Sequence, residues 1–255
     1  MMKHSIFHLS AFLILAVMTF GSCTSNSSTQ DNGSTGTLDT RGADYLPIAL
    51  NQVVSGHVRG VSKKYDINGS LTGMDSIDQD RTAFVMGSAM LLGLPGFSIA
   101  AYDDHGAITN RGGPTGFVAI SNDNVYASDH DATDKALVLP AVLSDGLTWN
   151  PDSHGDPIYK VTMTSHLASF TNKNGNIYQN VIQLQGSLTD STNHFYGSST
   201  DIQVVNIGAT IYLAKGVGFV EVDVDRYDFH DYSLDAGGIH GYERKVISGT
   251  VSLNK

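Results

Sequence analysis

Residues 203–225 read QVVNIGATIYLAKGVGFVEVDVD. Val205, Ile207, Ala209, Ile211 and Leu213 occupy every second position, with Asn206, Gly208, Thr210 and Tyr212 between them. After Lys215 and Gly216 the phase flips: Val220, Val222 and Val224 are apolar, while Glu221, Asp223 and Asp225 are charged. A period of two packs one set of side chains and leaves the other in water. Glycine takes positive φ without steric cost, so Lys215-Gly216 suits a tight turn. The stretch is expected to be a β-hairpin, which is scaffold rather than chemistry.

The pattern extends outward. Strands are expected at 159–164, 177–185, 202–213, 219–227 and 244–253, with turns at Asn174-Gly175-Asn176 and Gly197-Ser198-Ser199. Upstream, 58–67 alternates and ends at Asn68-Gly69, a strong turn signal. Residues 70–81, carrying Asp75, Asp78 and Asp80, read as an acidic loop. Residues 83–101, AFVMGSAMLLGLPGFSIAA, hold too many glycines for a long helix and read as two buried strands with a turn near Gly93 to Gly96. Short strands follow around Phe117, Ile120 and Val125, with breaks at 102–106, 112–114 and 122–124. Residues 127–135 and 150–157 read as polar loops. No amphipathic helix longer than about two turns is expected. The spacing predicts a mainly β, antiparallel fold with few short helices.

Composition narrows the function. The chain has 255 residues, 41% hydrophobic and 16% charged, with a formal net charge of -10. No basic run follows the N-terminal segment, which argues against nucleic acid as a partner. The sole cysteine, Cys23, excludes an intramolecular disulfide and a Cys-rich metal site. Before it, Lys3 and His4 precede an apolar core from Ala11 to Phe20, then small Gly21 and Ser22. Residues 1–22 are therefore expected to be a secretory signal peptide. The sequence FGSC at 20–23 resembles the bacterial lipobox, which implies acylation of Cys23 and anchoring in the envelope, with the outer membrane as destination. Each buried acyl methylene contributes about 0.8 kcal/mol to such anchoring. Residues 23–42, rich in Ser, Thr and Gly, are expected to be a flexible tether, and 43–255 a single β domain.

Four pieces carry a resemblance: YLPIALNQVV at 45–54, LVLPAVLSDGLTW at 137–149, LASFTNKNGNIYQNVIQLQ at 167–185 and IYLAKGVGFVEV at 211–222. Together they resemble a Bacteroidetes-type group of bacterial envelope lipoproteins with "YFPLxxGNxW" and "AKGVGLVK" elements. The resemblance implies an extracytoplasmic, strongly curved antiparallel sheet or open barrel, similar to LolA-like carriers. It implies no catalytic activity.

Signatures for serine hydrolases, zincins, P-loops and dinucleotide folds are absent. Mature-chain histidines, among them His57, His105, His130, His154, His166, His194, His230 and His240, show no i, i+2 or i, i+4 pairing, so no metal or cofactor is expected. Asp129, Asp131 and Thr133 alternate as in a calcium loop, but the glycine and terminal glutamate of an EF-hand are missing. Asp223, Asp225, Asp228, His230 and Asp231 form the densest polar group. They read either as a wet sheet face or as carboxylates for hydrolysis. Phe84, Met86, Met90, Leu92 and Phe97 line either an apolar ligand cavity or simply the core. Tyr212, Tyr227, Tyr232 and Tyr242 are either strand residues or a glycan platform. The expected protein is lipid-anchored and non-enzymatic, with a structural role or a hydrophobic or glycan ligand.

Overall fold

A computed structural model of the chain describes residues 40–102, 114, 116–129, 135–151, 159–196 and 199–254. The signal segment, Cys23 and nearly all of the tether lie outside the described residues. So do most of the breaks at 102–106, 112–114 and 197–199, the positions Asp131 and Thr133 that alternate as in a calcium loop, and His105, His130 and His154.

The elements, in chain order, are β1 (Thr40–Arg41), a 3-10 helix (Gly42–Tyr45), β2 (Val53–Tyr65), β3 (Leu71–Leu91), β4 (Leu94–Tyr102), β5 (Gly116–Ser121), β6 (Asn124–Asp129), β7 (Ala136–Leu139), β8 (Val142–Leu143), β9 (Thr148–Trp149), β10 (Tyr159–Thr171), β11 (Ile177–Tyr196), β12 (Ser199–Ala214), β13 (Gly218–Asp235) and β14 (Gly238–Leu253). Twelve strands form one antiparallel sheet in the order β7-β6-β5-β4-β3-β2-β14-β13-β12-β11-β10-β9. Two meanders, β2 to β7 and β9 to β14, are thus joined at β2 and β14. The sheet is mainly β, antiparallel and open, as the alternation and the resemblance led one to expect.

The sheet curls until its two edges touch. The Leu137 N–H on β7 donates to the carbonyl of Pro151, just past β9, over 2.9 Å. The Trp149 indole N–H donates back to the Leu137 carbonyl over 3.1 Å. No ladder joins these edges among the described residues. Inside the curl, Val118, Val125, Val138 and Leu139 from one meander meet Val161, Ile182, Leu213 and Phe219 from the other, all fully buried. The N-terminal segment stitches the end shut. Tyr45 and Leu46 plug the core, Ala43 N–H donates to Asp123 O in one meander, and the Asp44 carbonyl accepts from Gly216 N–H in the other. Gly42 is required here: a Cβ would lie 2.2 Å from the Pro140 carbonyl oxygen.

The central hairpin forms as its alternation dictates, with Gly216 at φ 73 and Val220, Val222 and Val224 buried. Glu221 departs from the wet face expected of it and is only 3% exposed. The turn between β10 and β11 folds over it. Its carboxylate accepts from the Lys173 N–H at 2.6 Å and the Ser252 hydroxyl at 2.8 Å. Buried Asn172 holds that turn down, donating to the carbonyls of Val220 (3.3 Å) and Leu253 (3.0 Å).

Two boundaries are corrected. Residues 40–42 were expected in the tether, yet Thr40 and Arg41 pair with Leu143 and Val142. Backbone pairing of two polar residues leaves no hydrophobic signal. Residues 70–81 are not a loop: from Leu71 they run as the first half of the 21-residue β3, pairing with β2 from Tyr65 to Gly56. This half lies beyond the core with water on both faces, so period-two alternation never develops. The 83–101 segment does split into two strands, turning at Leu92 and Gly93, both at positive φ.

β2, β3, β13 and β14 therefore continue past the core as a thin arm. Gly60 and Gly249 pair across the β2–β14 seam where it begins. A Cβ on Gly249 would lie 2.5 Å from the Arg59 carbonyl oxygen, so the backbones approach too closely for any side chain. Gly249→Ala is expected to lower unfolding free energy by about 2 kcal/mol through this overpacking. Gly73→Ala, whose Cβ would only touch the Lys64 side chain at 3.8 Å, should change it by less than about 0.5 kcal/mol. Urea midpoints of the two variants check this.

Candidate functional site

Cross-strand partners share a face of a sheet. On the outer face of the arm, the register sets His230 opposite Arg244, Arg244 opposite Tyr65, and Asp228 opposite Val246, which in turn faces Lys63. Asp228 is the hub. It is 2% exposed and accepts three hydrogen bonds from two guanidinium groups. Its Oδ1 accepts from Arg244 Nε (3.0 Å) and lies 3.0 Å from His230 Nε2. Its Oδ2 accepts from Arg244 Nη2 (2.8 Å) and Arg226 Nη2 (3.1 Å). Arg244, then its own burial in the opposite sense, then Arg226 set its acidity, and the net effect holds the Asp228 carboxyl below the usual aspartate range.

Aromatic rings surround the hub. The Tyr65 ring lies under the Arg244 guanidinium, 5.5 Å from its centroid. Tyr242 OH lies 3.2 Å from His230 Nδ1, with the two rings edge-on at 6.1 Å. Tyr232 packs beside Tyr242 at 5.9 Å, tilted by 36°. All three tyrosines are half-buried, so each offers ring surface to solvent. Arginines, an imidazole and aromatic faces on one open surface can grip a polar ligand.

The carboxylates singled out in the sequence are dispersed. Asp223 is paired with the Lys173 ammonium and accepts from the Thr250 hydroxyl at 2.6 Å. Asp225 accepts from the Thr210 hydroxyl. Asp228 and His230 meet in the hub, while Asp231, alternating with His230, takes the other face. Among the tyrosines, Tyr232 and Tyr242 come together. Tyr212 stacks on Phe170 at 4.0 Å, a separate spot on the same face, and Tyr227 packs against the core on the inner face.

The five apolar candidates do not share one enclosure. Phe84 lines a narrow cleft with Pro47, Ile48, Val54 and Ile99. Met90 and Phe97 line an open depression of about 410 Å³ with Ser88, Ala89, Pro95 and Gly96. Met86 and Leu92 are exposed. Leu91, their neighbour, is core.

A second polar cluster was missed in the sequence. His57 lies between two carboxylates, with Nδ1 2.9 Å from Asp80 and Nε2 2.5 Å from Asp78. The hydrogen bond to Asp80 is the main reason its pKa is raised above the ordinary histidine value. Both ring nitrogens are engaged, which leaves no lone pair for a metal. No group of three or more His, Cys, Asp or Glu set to hold a metal ion occurs among the described residues. The signal was present in the hairpin turn at Asn68-Gly69, from which the pairing can be counted outward.

No protein-family model matches the chain, and no curated protein matches it.

Two predictions follow from these clusters' charges. Asp228→Ala strands two guanidinium groups. Since both are partly solvated, the expected loss is about 2 kcal/mol, below the cost of breaking a fully buried pair, read from urea unfolding at pH 7. For His57, a raised folded pKa means the stabilisation is complete below about 6.5, the unfolded value, and vanishes as pH rises through the folded one. The stability gap between wild type and His57→Gln should be widest near pH 6 and close at alkaline pH in parallel thermal melts.

Proposed function

We propose that the protein is a lipid-anchored, non-catalytic module of the bacterial envelope that binds saccharide on the outer face of its β arm. Export and anchoring rest on the N-terminal pattern: a polar start, an apolar core, then FGSC ending at Cys23. The binding reading rests on one observation. Tyr65 backs an Arg244 fixed by a buried carboxylate, and the Tyr242–Tyr232 pair sits against the hub's His230, all on the outer sheet face. Sugar rings stack their C–H faces on aromatic rings while guanidinium and imidazole groups donate to hydroxyls. A fixed guanidinium backed by one ring, with two more tyrosines beside the same hub, supplies both at once and loses little entropy on binding.

The apolar depression at Met90 and Phe97 supports a second reading, as a seat for a hydrophobic molecule. The first reading predicts that the detergent-solubilised mature protein binds members of a glycan panel and that Tyr232→Ala with Tyr242→Ala weakens binding at least about tenfold, at about 1 kcal/mol for each ring lost. Retention of full affinity in that double variant would overturn it. Native mass spectrometry with organic extraction of the same sample reads the second: a discrete co-purifying lipophile favours it. For the anchor, Cys23→Ser should move the protein from the membrane to the soluble fraction and abolish labelling by palmitate.

A further inference from the structure

We infer that the saccharide this site selects is acidic, carrying carboxylate groups as a polyuronate does. The inference rests on the saccharide-binding reading and deepens it.

The argument is local charge. The chain carries a formal net charge of -10, yet Arg226, Arg244 and Lys63 project from one patch of the arm's outer face. Asp228 is the one carboxylate bonded within it, so the patch keeps a net positive charge even with His230 neutral. Nearby acids are committed or turned away. Asp225, beside Arg226, accepts from the neutral Thr210 hydroxyl and keeps its charge, so the three cations exceed Asp228 and Asp225 by one. Asp223 is held by Lys173 and Thr250, and Asp78 by His57. Asp231 and Glu243, each adjacent in sequence to a hub residue, alternate onto the opposite face.

Arg244 provides the recognition geometry. Asp228 occupies its Nε and Nη2 edge, which is two of the five N–H donors of a guanidinium. The remaining donors lie on the end of a group that is 34% exposed and rests on Tyr65. That end forms a planar fork suited to a carboxylate. Arg226, 61% exposed, and exposed Lys63 flank it. A hexuronate ring lying against Tyr232 and Tyr242 would place its carboxylate toward this fork. A neutral sugar would leave the excess positive charge unanswered.

The test uses the detergent-solubilised mature protein against immobilised polygalacturonate, the same polymer with its carboxylates methyl-esterified, dextran sulfate, and vesicles containing anionic phospholipid. The expected result is binding to polygalacturonate, at least about tenfold weaker binding after esterification, and a steep fall with salt. Arg244→Lys keeps the charge but not the fork and should lose most of the preference for the acid form. Lys63→Gln, exposed and outside the hub's hydrogen bonds, should weaken acid binding severalfold without affecting folding. Equal binding to acid and esterified polymers, lost in Tyr232→Ala, would overturn acid selection and leave saccharide binding standing. Failure to bind any saccharide would overturn both. Equal binding to dextran sulfate or anionic vesicles, untouched by Tyr232→Ala, would show general polyanion adsorption and overturn the inference.

Discussion

The seam between β2 and β14 is the constraint on which the rest of the molecule depends. Neither meander encloses the core alone, because the buried cluster draws on both. The ladder from Arg244–Tyr65 to Leu253–Gly56 makes one sheet of them and brings the ends of the folded chain together. On the packed side Val251 lies beside Val58, and near its end Asn172 ties Leu253 to the β10–β11 turn. Opposite the seam the sheet edges meet through the Leu137 and Trp149 hydrogen bonds, with the Tyr45-Leu46 plug beneath. Curvature is thus fixed at the seam, the touching edges and the plug. Pairing between strands so distant in sequence makes a topology of high contact order.

The same ladder carries order past the core. Beyond Gly60 and Gly249 burial thins out, past the inner-face contacts of Tyr227 and Phe229, and cross-strand pairs carry more of the stabilisation. Arg244 with Asp228 is such a pair, while His57 with Asp78 and Asp80, and Lys173 with Asp223, lie on the core side of the two glycines. All lie on the outer face.

Much of the fold could be read from the sequence, because alternation survives wherever one face is packed. Val205 to Leu213 and Val220 to Val224 show it, as does the turn at Gly216. Alternation fails where both faces are wet, so residues 71–81 looked like a loop. It also misjudged Glu221, whose cover is a turn from elsewhere in the chain. The site was half legible. Tyr232, Tyr242, Asp228 and His230 stood out by type, but their grouping with Arg244 and Tyr65 depends on register. Counting outward from Asp235–Gly238 would set Asp228 opposite Lys245. The irregularity between Asp231 and Ser233, with Gly241 at φ 61 on β14, shifts the ladder by one and puts Val246 there instead.

That one-residue shift gives the arm its chemistry. Without it Arg244 and His230 would fall on opposite faces, because a slip of one turns every side chain over. A charge network is also an inefficient way to stabilise a sheet. Replacing a buried ion pair with apolar residues is often neutral or better, and Val204 and Val246 stand ready as neighbours on the same face. What the network does that apolar packing would not is hold a guanidinium still, ring-backed by Tyr65, with donors left over toward solvent. A fixed, partly unsatisfied cation is a cost to folding and an advantage to binding.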